Sequence, residues 1–301
     1  MIVVTAASGR TGRSVVAALG RVGHDVRAFD IVHDVEQLVG EQGAAEAVVG
    51  DLLSADDLRR ALNGVDSVIH IGPPMHPREA DMGHGVVSGA RKASVKHFVQ
   101  FSVTHPQLEP LLNHQAKLAV EREVLLSRMP FTILQPMHYM QNIDVSRVVE
   151  EGALHQPYSL DTRLAHVDLE DVAEVAATVV GDPHHHYATY ELCGRDFRSA
   201  RELAQIITAE SGRPVTASQV APHDPVHGGG VPSEEDDHHH DAMVRLFDHY
   251  GRYGITGNPN VLGWLLGRRP TSFAEYVRRM SPPRTSVRRM PAGSGSGPSL
   301  P

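Results

Sequence analysis

The chain of 301 residues contains one cysteine, Cys193. An intrachain disulfide and a thiolate metal cluster are therefore both excluded. No apolar run reaches the ~18 residues of a membrane-spanning helix. Positive charge is in deficit, with 28 Lys and Arg against 36 Asp and Glu, a net charge of −8. Bulk electrostatics then oppose direct nucleic-acid binding and attachment to an anionic membrane. The first β-branched run starts at Ile2 and leaves no room for a cleavable leader, so a soluble, cytoplasmic protein is expected. No internal repeat is visible. What is present is globular in composition: 41% hydrophobic and 21% charged residues. That suffices for a sizeable core in one large domain or two coupled ones, and it excludes a wholly disordered chain.

The first 140 residues alternate between two textures. Short β-branched runs at 2–5, 25–29, 47–49, 67–71, 97–101 and 131–134 read as strands. Between them lie segments of helical apolar spacing. Val15, Val16 and Leu19 share one helix face, Leu58, Leu62 and Val65 another behind the capping signal Ser54-Ala55-Asp56-Asp57, and 116–126 forms a third helix. Strands alternating with helices imply βαβ units and a parallel sheet. After Pro136 the rhythm loosens. Strands are expected at 165–167, 189–192 and 215–220, and helices at 169–180, 200–211, 239–250, 261–266 and 273–280. The Pro-, Gly-, His- and acid-rich stretch 221–237 reads as a surface loop, and 281–301 as a disordered tail.

The strongest local signal follows the first strand: Ala6-Ala7-Ser8-Gly9-Arg10-Thr11-Gly12, then a helix. A turn that brings backbone N–H groups up to a diphosphate must be free of bulky side chains, and the helix N-terminus adds unpaired donors and partial positive charge. Gly9 would allow the close approach and Gly12 tight packing of helix on sheet. Ala6 stands where a first glycine is usual. Two glycines alone also suit an ordinary strand–turn–helix; the place directly after the first strand of a βαβ pattern is what favours nucleotide. Asp30 follows the second run, 18 residues past Gly12. A carboxylate there accepts from both ribose hydroxyls and repels a 2′-phosphate, which favours NAD(H) over NADP(H). Arg10 and Arg27 argue the other way, since either can meet a phosphate.

With these motifs the chain resembles the NmrA-like members of the atypical short-chain dehydrogenase/reductase superfamily over residues 1–280. The 6–12 loop resembles the family's glycine motif. Gly50-Asp51-Leu52 resembles the turn that contacts adenine, and Gly72-Pro73-Pro74 the end of the fourth strand beside the cofactor. Ser102 follows a segment like the fifth strand, and Thr132-Ile133-Leu134-Gln135-Pro136 resembles the sixth strand with the proline beside nicotinamide. The resemblance implies an α/β fold: a Rossmann-type doubly wound parallel sheet with a smaller C-terminal α+β substrate domain. NAD(P) binding would then fall to 1–155, with contributions near 165–193, and substrate binding to 156–280.

Many superfamily members carry Tyr-x-x-x-Lys on the helix after the fifth strand, where the tyrosine exchanges a proton with substrate and the lysine binds the nicotinamide ribose. Here the segment reads Asn113-His114-Gln115-Ala116-Lys117. Lys117 fits the lysine position; Asn113, in the tyrosine position, has no proton to exchange. Three readings stay open. His114 replaces the tyrosine as acid; or the substrate is quinone-like and needs no strong acid; or the protein binds dinucleotide without turnover and reports redox state to a regulatory protein partner. Ser102 and Tyr139 are the remaining catalytic candidates, with Tyr139 the spare phenol. His76, His105, His138 and Asn142 are expected to line a substrate pocket with Met75, Met137 and Met140. The histidine runs 184–186 and 238–240 point consecutive side chains in different directions and make poor metal sites. The expected protein is an NAD(P)H-dependent reductase of a small quinone-like, aromatic or polyketide-like substrate. The resemblance also admits a homodimer.

Overall fold

A computed structural model of the chain describes residues 1–40, 42–221 and 234–281. The chain order opens β1 (Ile2–Thr5), α1 (Arg10–Arg21), β2 (Val26–Asp30), β3 (Glu46–Val49), α2 (Ala55–Leu62), β4 (Ser67–Ile71), α3 (Glu79–Lys92), β5 (His97–Phe101), α4 (Leu112–Leu126) and β6 (Phe131–Pro136). It continues with β7 (His138–Tyr139), α5 (Val145–Glu151), β8 (Ala153–Gln156), β9 (Arg163–Val167), α6 (Leu169–Val180), β10 (Ala188–Leu192) and β11 (Asp196–Ser199). The last elements are α7 (Ala200–Ser211), β12 (Thr216–Gln219), α8 (Glu234–Tyr253), α9 (Asn260–Leu266) and α10 (Phe273–Met280).

Seven strands form one sheet in the order β3-β2-β1-β4-β5-β6-β10, and every pairing is parallel. Its central strands are apolar on both faces because helices cover both sides. Val15, Val16 and Leu19 of α1 pack with Val172, Val175 and Val179 of α6 on one side. Leu58 and Leu62 of α2, Val86 of α3 and Val120 and Val124 of α4 fill the other. The fold is α/β and Rossmann-type. Strand order reverses between β1 and β4, which opens a crevice beyond their carboxyl ends, where open sheets of this kind hold ligands.

A third core joins α5, α7 and α10 through Val148, Leu203, Ile207, Phe273 and Tyr276. With it go a three-stranded sheet, β11-β9-β7, and a two-stranded one, β12-β8. Asp168, fully buried at the start of α6, accepts from Gln141 Nε2 at 2.7 Å and from Arg279 of α10 at 2.7 Å, and so ties this smaller unit to the sheet.

Three details depart from the sequence expectation. Helix α4 begins at Leu112, four residues before the expected 116, which brings Asn113 and His114 into its first turn. Part of the expected 221–237 loop is helical, because α8 starts at Glu234 and runs unbroken to Tyr253; 222–233 lies outside the described residues, as do 282–301 of the expected tail. β7, β8, β11, α3 and α5 are additional elements.

Candidate cofactor and active site

The loop between β1 and α1 is built for close approach. Ala6 takes φ +48°, the left-handed region that favours glycine. A Cβ on Gly12 would meet the Ala6 carbonyl oxygen and come within 2.6 Å of Ala7 Cα, so the first helical turn lies directly on the loop backbone. Gly9 is the N-cap of α1 and supplies no side-chain cap, which leaves first-turn amides open to an external acceptor. Ser8 Oγ is buried and has no hydrogen-bond partner among the described residues. Asp30, the last residue of β2, accepts from Ser8 N at 2.8 Å and from Ile31 N at 2.7 Å. The carboxylate is thus fixed beside the loop with lone pairs to spare. These features fit the diphosphate and adenosine ribose of a dinucleotide.

The two arginines part company. Arg27 donates to Glu46 at 2.6 Å and to the Ala61 and Asn63 carbonyls at 2.6 and 2.8 Å, so it is not available to a cofactor phosphate. Arg10 stays at the loop. Its guanidinium donates to the Gln141 carbonyl at 2.6 Å and to Asn142 Oδ1. Because arginine can only donate, Asn142 must present oxygen to it and nitrogen to His138, whose Nε2 accepts at 3.2 Å. His138 Nδ1–H then faces the Tyr250 hydroxyl at 3.4 Å. Burial, then the nearby His166 and Arg10, push His138 down to about 3, so it is a neutral group of fixed tautomer. Tyr139 bonds to the Thr11 side chain at the start of α1, and burial raises its phenol well above the ordinary value. The spare phenol therefore sits at the loop between β1 and α1.

Along the carboxyl edge, Gly50 N donates to the Asp30 carbonyl at 2.9 Å. Asp51 folds its own turn, its N–H donating to Asp57 at 3.0 Å and its carboxylate accepting from Leu53 N at 2.8 Å. Leu52 is half-buried against the second core. After β4, Gly72-Pro73-Pro74 leads to Met75 at φ +60° and to His76, whose Nδ1 accepts from Arg78 N at 2.9 Å. Lys117 points to this turn: its Nζ lies 2.6 Å from Oε1 of Glu79, a residue 1% exposed. Glu79 has no signal in the sequence: α3 is not among the expected helices, and a lone acid carries no mark of burial.

Beyond β5 and β6, Ser102 N donates to Leu134 O at 2.8 Å and Thr104 N to Pro136 O at 3.1 Å, which holds the two strand ends together. Ser102 Oγ, Asn113 Oδ1 and His114 Nε2 are buried and have no partner among the described residues. His114 Nδ1 lies 2.9 Å from the His105 carbonyl, which can only accept, so Nδ1 carries the proton and Nε2 is a bare acceptor. Burial pushes His114 down to about 4. A neutral imidazole with its only N–H committed is a poor proton donor and a good acceptor.

The first histidine run is dispersed. His184 Nδ1 sits 2.7 Å from Asp182, His185 Nδ1 2.9 Å from Tyr190, and His186 lies tilted against His97 at 4.5 Å between ring centres. Among the described residues, no group of three or more His, Cys, Asp or Glu is placed to hold a metal, and no helix is long and apolar enough to cross a membrane.

The sequence profile of the NmrA-like family matches residues 1–277. The NAD(P)H azoreductase of Xenophilus azovorans is 27% identical over 288 residues, spanning 92% of this chain and 97% of that protein. Quinone oxidoreductase 2 of Escherichia coli is 26% identical, with coverage of 93% and 98%. The solved structure of the E. coli NADPH-dependent quinone oxidoreductase, complexed with NADPH, superposes with a TM-score of 0.77 at 24% identity over 93% of this chain and 99% of that one, a likeness of fold.

Proposed function

The chain belongs to the NmrA-like family, and on that premise we propose that it is an NAD(P)H-dependent reductase of small conjugated acceptors of quinone or azo type. The observation that carries the reading is the bare loop of Ala6–Gly12 beside the fixed carboxylate of Asp30, with the Lys117 ammonium across the crevice at Gly72. The names of the relatives support the acceptor class.

When bound, the nicotinamide supplies a hydride. Everything else falls to the chain. The amides of Gly9 and the first turn of α1 hold the diphosphate, Ser8 Oγ donates to it, and Asp30 accepts from the adenosine ribose. Lys117 donates to the nicotinamide ribose, with Pro136 as the wall beside the ring. No tyrosine stands at Asn113, and His114 keeps its proton on the His105 carbonyl. The substrate must therefore become a weak base on reduction. A quinone does: it takes a hydride to give a phenolate-like anion, which then picks up one proton from water, and a hydroxyazo dye does the same when the hydride enters the C=N nitrogen of its quinone-hydrazone tautomer. An alkoxide from a simple ketone is far more basic and would need the missing acid. His114 Nε2 offers an acceptor to a substrate hydroxyl or N–H.

The Asp30 carboxylate would meet a 2′-phosphate with like charge, and Arg27 is engaged elsewhere, so we assign NADH as the tighter cofactor. Titration of both reduced dinucleotides tests this, and tighter NADPH binding refutes the role of Asp30. Stopped-flow mixing of the NADH-loaded protein with a panel of quinones, azo dyes and simple ketones tests the reaction. Quinones or azo dyes should oxidise the bound cofactor while ketones do not. Asn113 in the tyrosine position favours one second reading, a redox sensor. Failure of every acceptor, with different affinities for oxidised and reduced cofactor, would replace the reductase with that sensor.

A further inference from the structure

We propose that Glu79 is a positioning residue for the nicotinamide-ribose subsite, fixing the Lys117 ammonium at the end of β4. The proposal rests on the functional reading above, which assigns Lys117 to that sugar. Glu79 lies in the first turn of α3 and Lys117 in the second turn of α4, so the ion pair is made across two neighbouring helices. Both groups are withdrawn from water, with side-chain exposures of 1% and 12%.

The strand end is shaped around the pair. A Cβ on Gly72 would lie 3.1 Å from Glu79 Oε1 and 3.4 Å from Lys117 Nζ, so any larger residue there would press on the carboxylate of the pair. A lysine side chain has many rotamers and ordinarily extends into solvent. Here the carboxylate holds it over the crevice. His70, two residues before Gly72 on β4, does not compete. Burial, with Lys117 adding to it, pushes that imidazole down to about 3, and its Nδ1 lies 2.9 Å from Thr5 Oγ1.

The second oxygen gives the pair a direction. Glu79 Oε2 is buried and has no hydrogen-bond partner among the described residues. A buried carboxylate left half-satisfied is costly for a purely structural role, and a well-packed apolar pair would fill the same space. The arrangement is completed by a ligand that brings hydroxyl groups, one receiving from Lys117 and one donating to Glu79. A ribose diol has that chemistry.

The test is a double-mutant cycle in the full chain, read first as NADH affinity by cofactor fluorescence and then as kcat and KM with a quinone. Glu79→Gln keeps the shape and removes the charge. We expect it and Lys117→Met each to weaken NADH about tenfold, and the double variant to bind no more than about threefold worse than Lys117→Met alone. Glu79→Asp, which keeps the charge one methylene shorter, should recover part of the loss. It carries the test if Glu79→Gln does not fold, by binding NADH more weakly than the wild type at unchanged melting temperature.

Wild-type affinity in Glu79→Gln (or in Glu79→Asp, where that carries the test), or losses that simply add in the double variant, would overturn the proposal while leaving the functional reading intact. An unaffected Lys117→Met would overturn it by removing Lys117 from the site. A wild type that binds no dinucleotide would bring down the functional reading itself, and this proposal with it.

Discussion

At the scale of single residues, Gly12 and Ala6 carry opposite constraints. A methyl on Gly12 has no room, since Ala7 Cα would be 2.6 Å away and the Ala6 carbonyl nearer still. Gly12→Ala should lift α1 from the loop, weaken NADH at least about tenfold and destabilise the fold by about 1–3 kcal/mol; cofactor titration and urea unfolding read the two effects. Ala6 sits at φ +48°, where an L side chain is strained by about 1 kcal/mol. Ala6→Gly should therefore leave NADH binding intact and not lower the urea midpoint, and a loss in either would show that the methyl has a role of its own. His114 yields a prediction about pH. Burial pushes it down to about 4, so it is neutral throughout pH 6 to 8 and contributes no titration there. A turnover profile with a limb near pH 6.5 that disappears in His114→Asn would contradict this assignment. The placement of Asp30 at the end of β2 and of Lys117 on the helix after β5 was legible because each stands at a fixed distance from a recognisable motif. Glu79 was not, since only the packing of α3 on α4 makes a first-turn acid a buried one.

At the scale of elements, long segments with an unbroken apolar period were legible; short ones were not, nor was the 14-residue α3, whose run is interrupted by Gly83, Gly85 and Gly89. Val15, Val16 and Leu19 announce α1 from sequence because a helix of 12 residues repeats its pattern. β7 has two residues, and β8 and β11 have four each with polar members, so no period can establish itself. Their partners are also distant: Asp196 pairs with His166, and Thr216 with Ala153. The early start of α4 was missed because Asn113 and His114 are poor helix formers whose place is set by tertiary contact, His114 through the His105 carbonyl. Helix α10 shows how the smaller unit is secured. Ser272 and Glu275 form a reciprocal cap at its start, and Phe273, Tyr276 and Val277 fill the third core. Ser272→Ala should cost about 1 kcal/mol. Because that core supports the 140–142 turn that meets Arg10, cofactor affinity should fall less than stability does. Urea midpoints and NADH titrations on the same samples separate the two.

At the scale of the whole molecule, the buried histidines dominate the response to pH. Burial pushes His70 and His138 down to about 3 and His97, His114 and His166 down to about 4. The folded state keeps them neutral, whereas the unfolded chain takes up protons as the pH falls below the ordinary histidine value of about 6.5. Their contribution is complete above that value and is lost progressively from about pH 6.5 down to about 4 for His97, His114 and His166 and about 3 for His70 and His138, at up to ~1.4 kcal/mol per pH unit for each group. The urea midpoint should therefore fall steeply from pH 7.5 to pH 5. A midpoint that holds or rises over that interval would mean the histidines are charged inside the fold.

The proposed grip for two phosphates and two sugars rests on the sheet order, the loop at its switch point and the paired strand ends. The most direct test is calorimetric titration of the purified full chain with NADH and with NADPH, alongside Gly12→Ala. Saturable binding of a reduced dinucleotide at one site per chain, lost or strongly weakened in the variant, is the predicted result. Absence of heat and of any fluorescence change with both cofactors would contradict the account at its root.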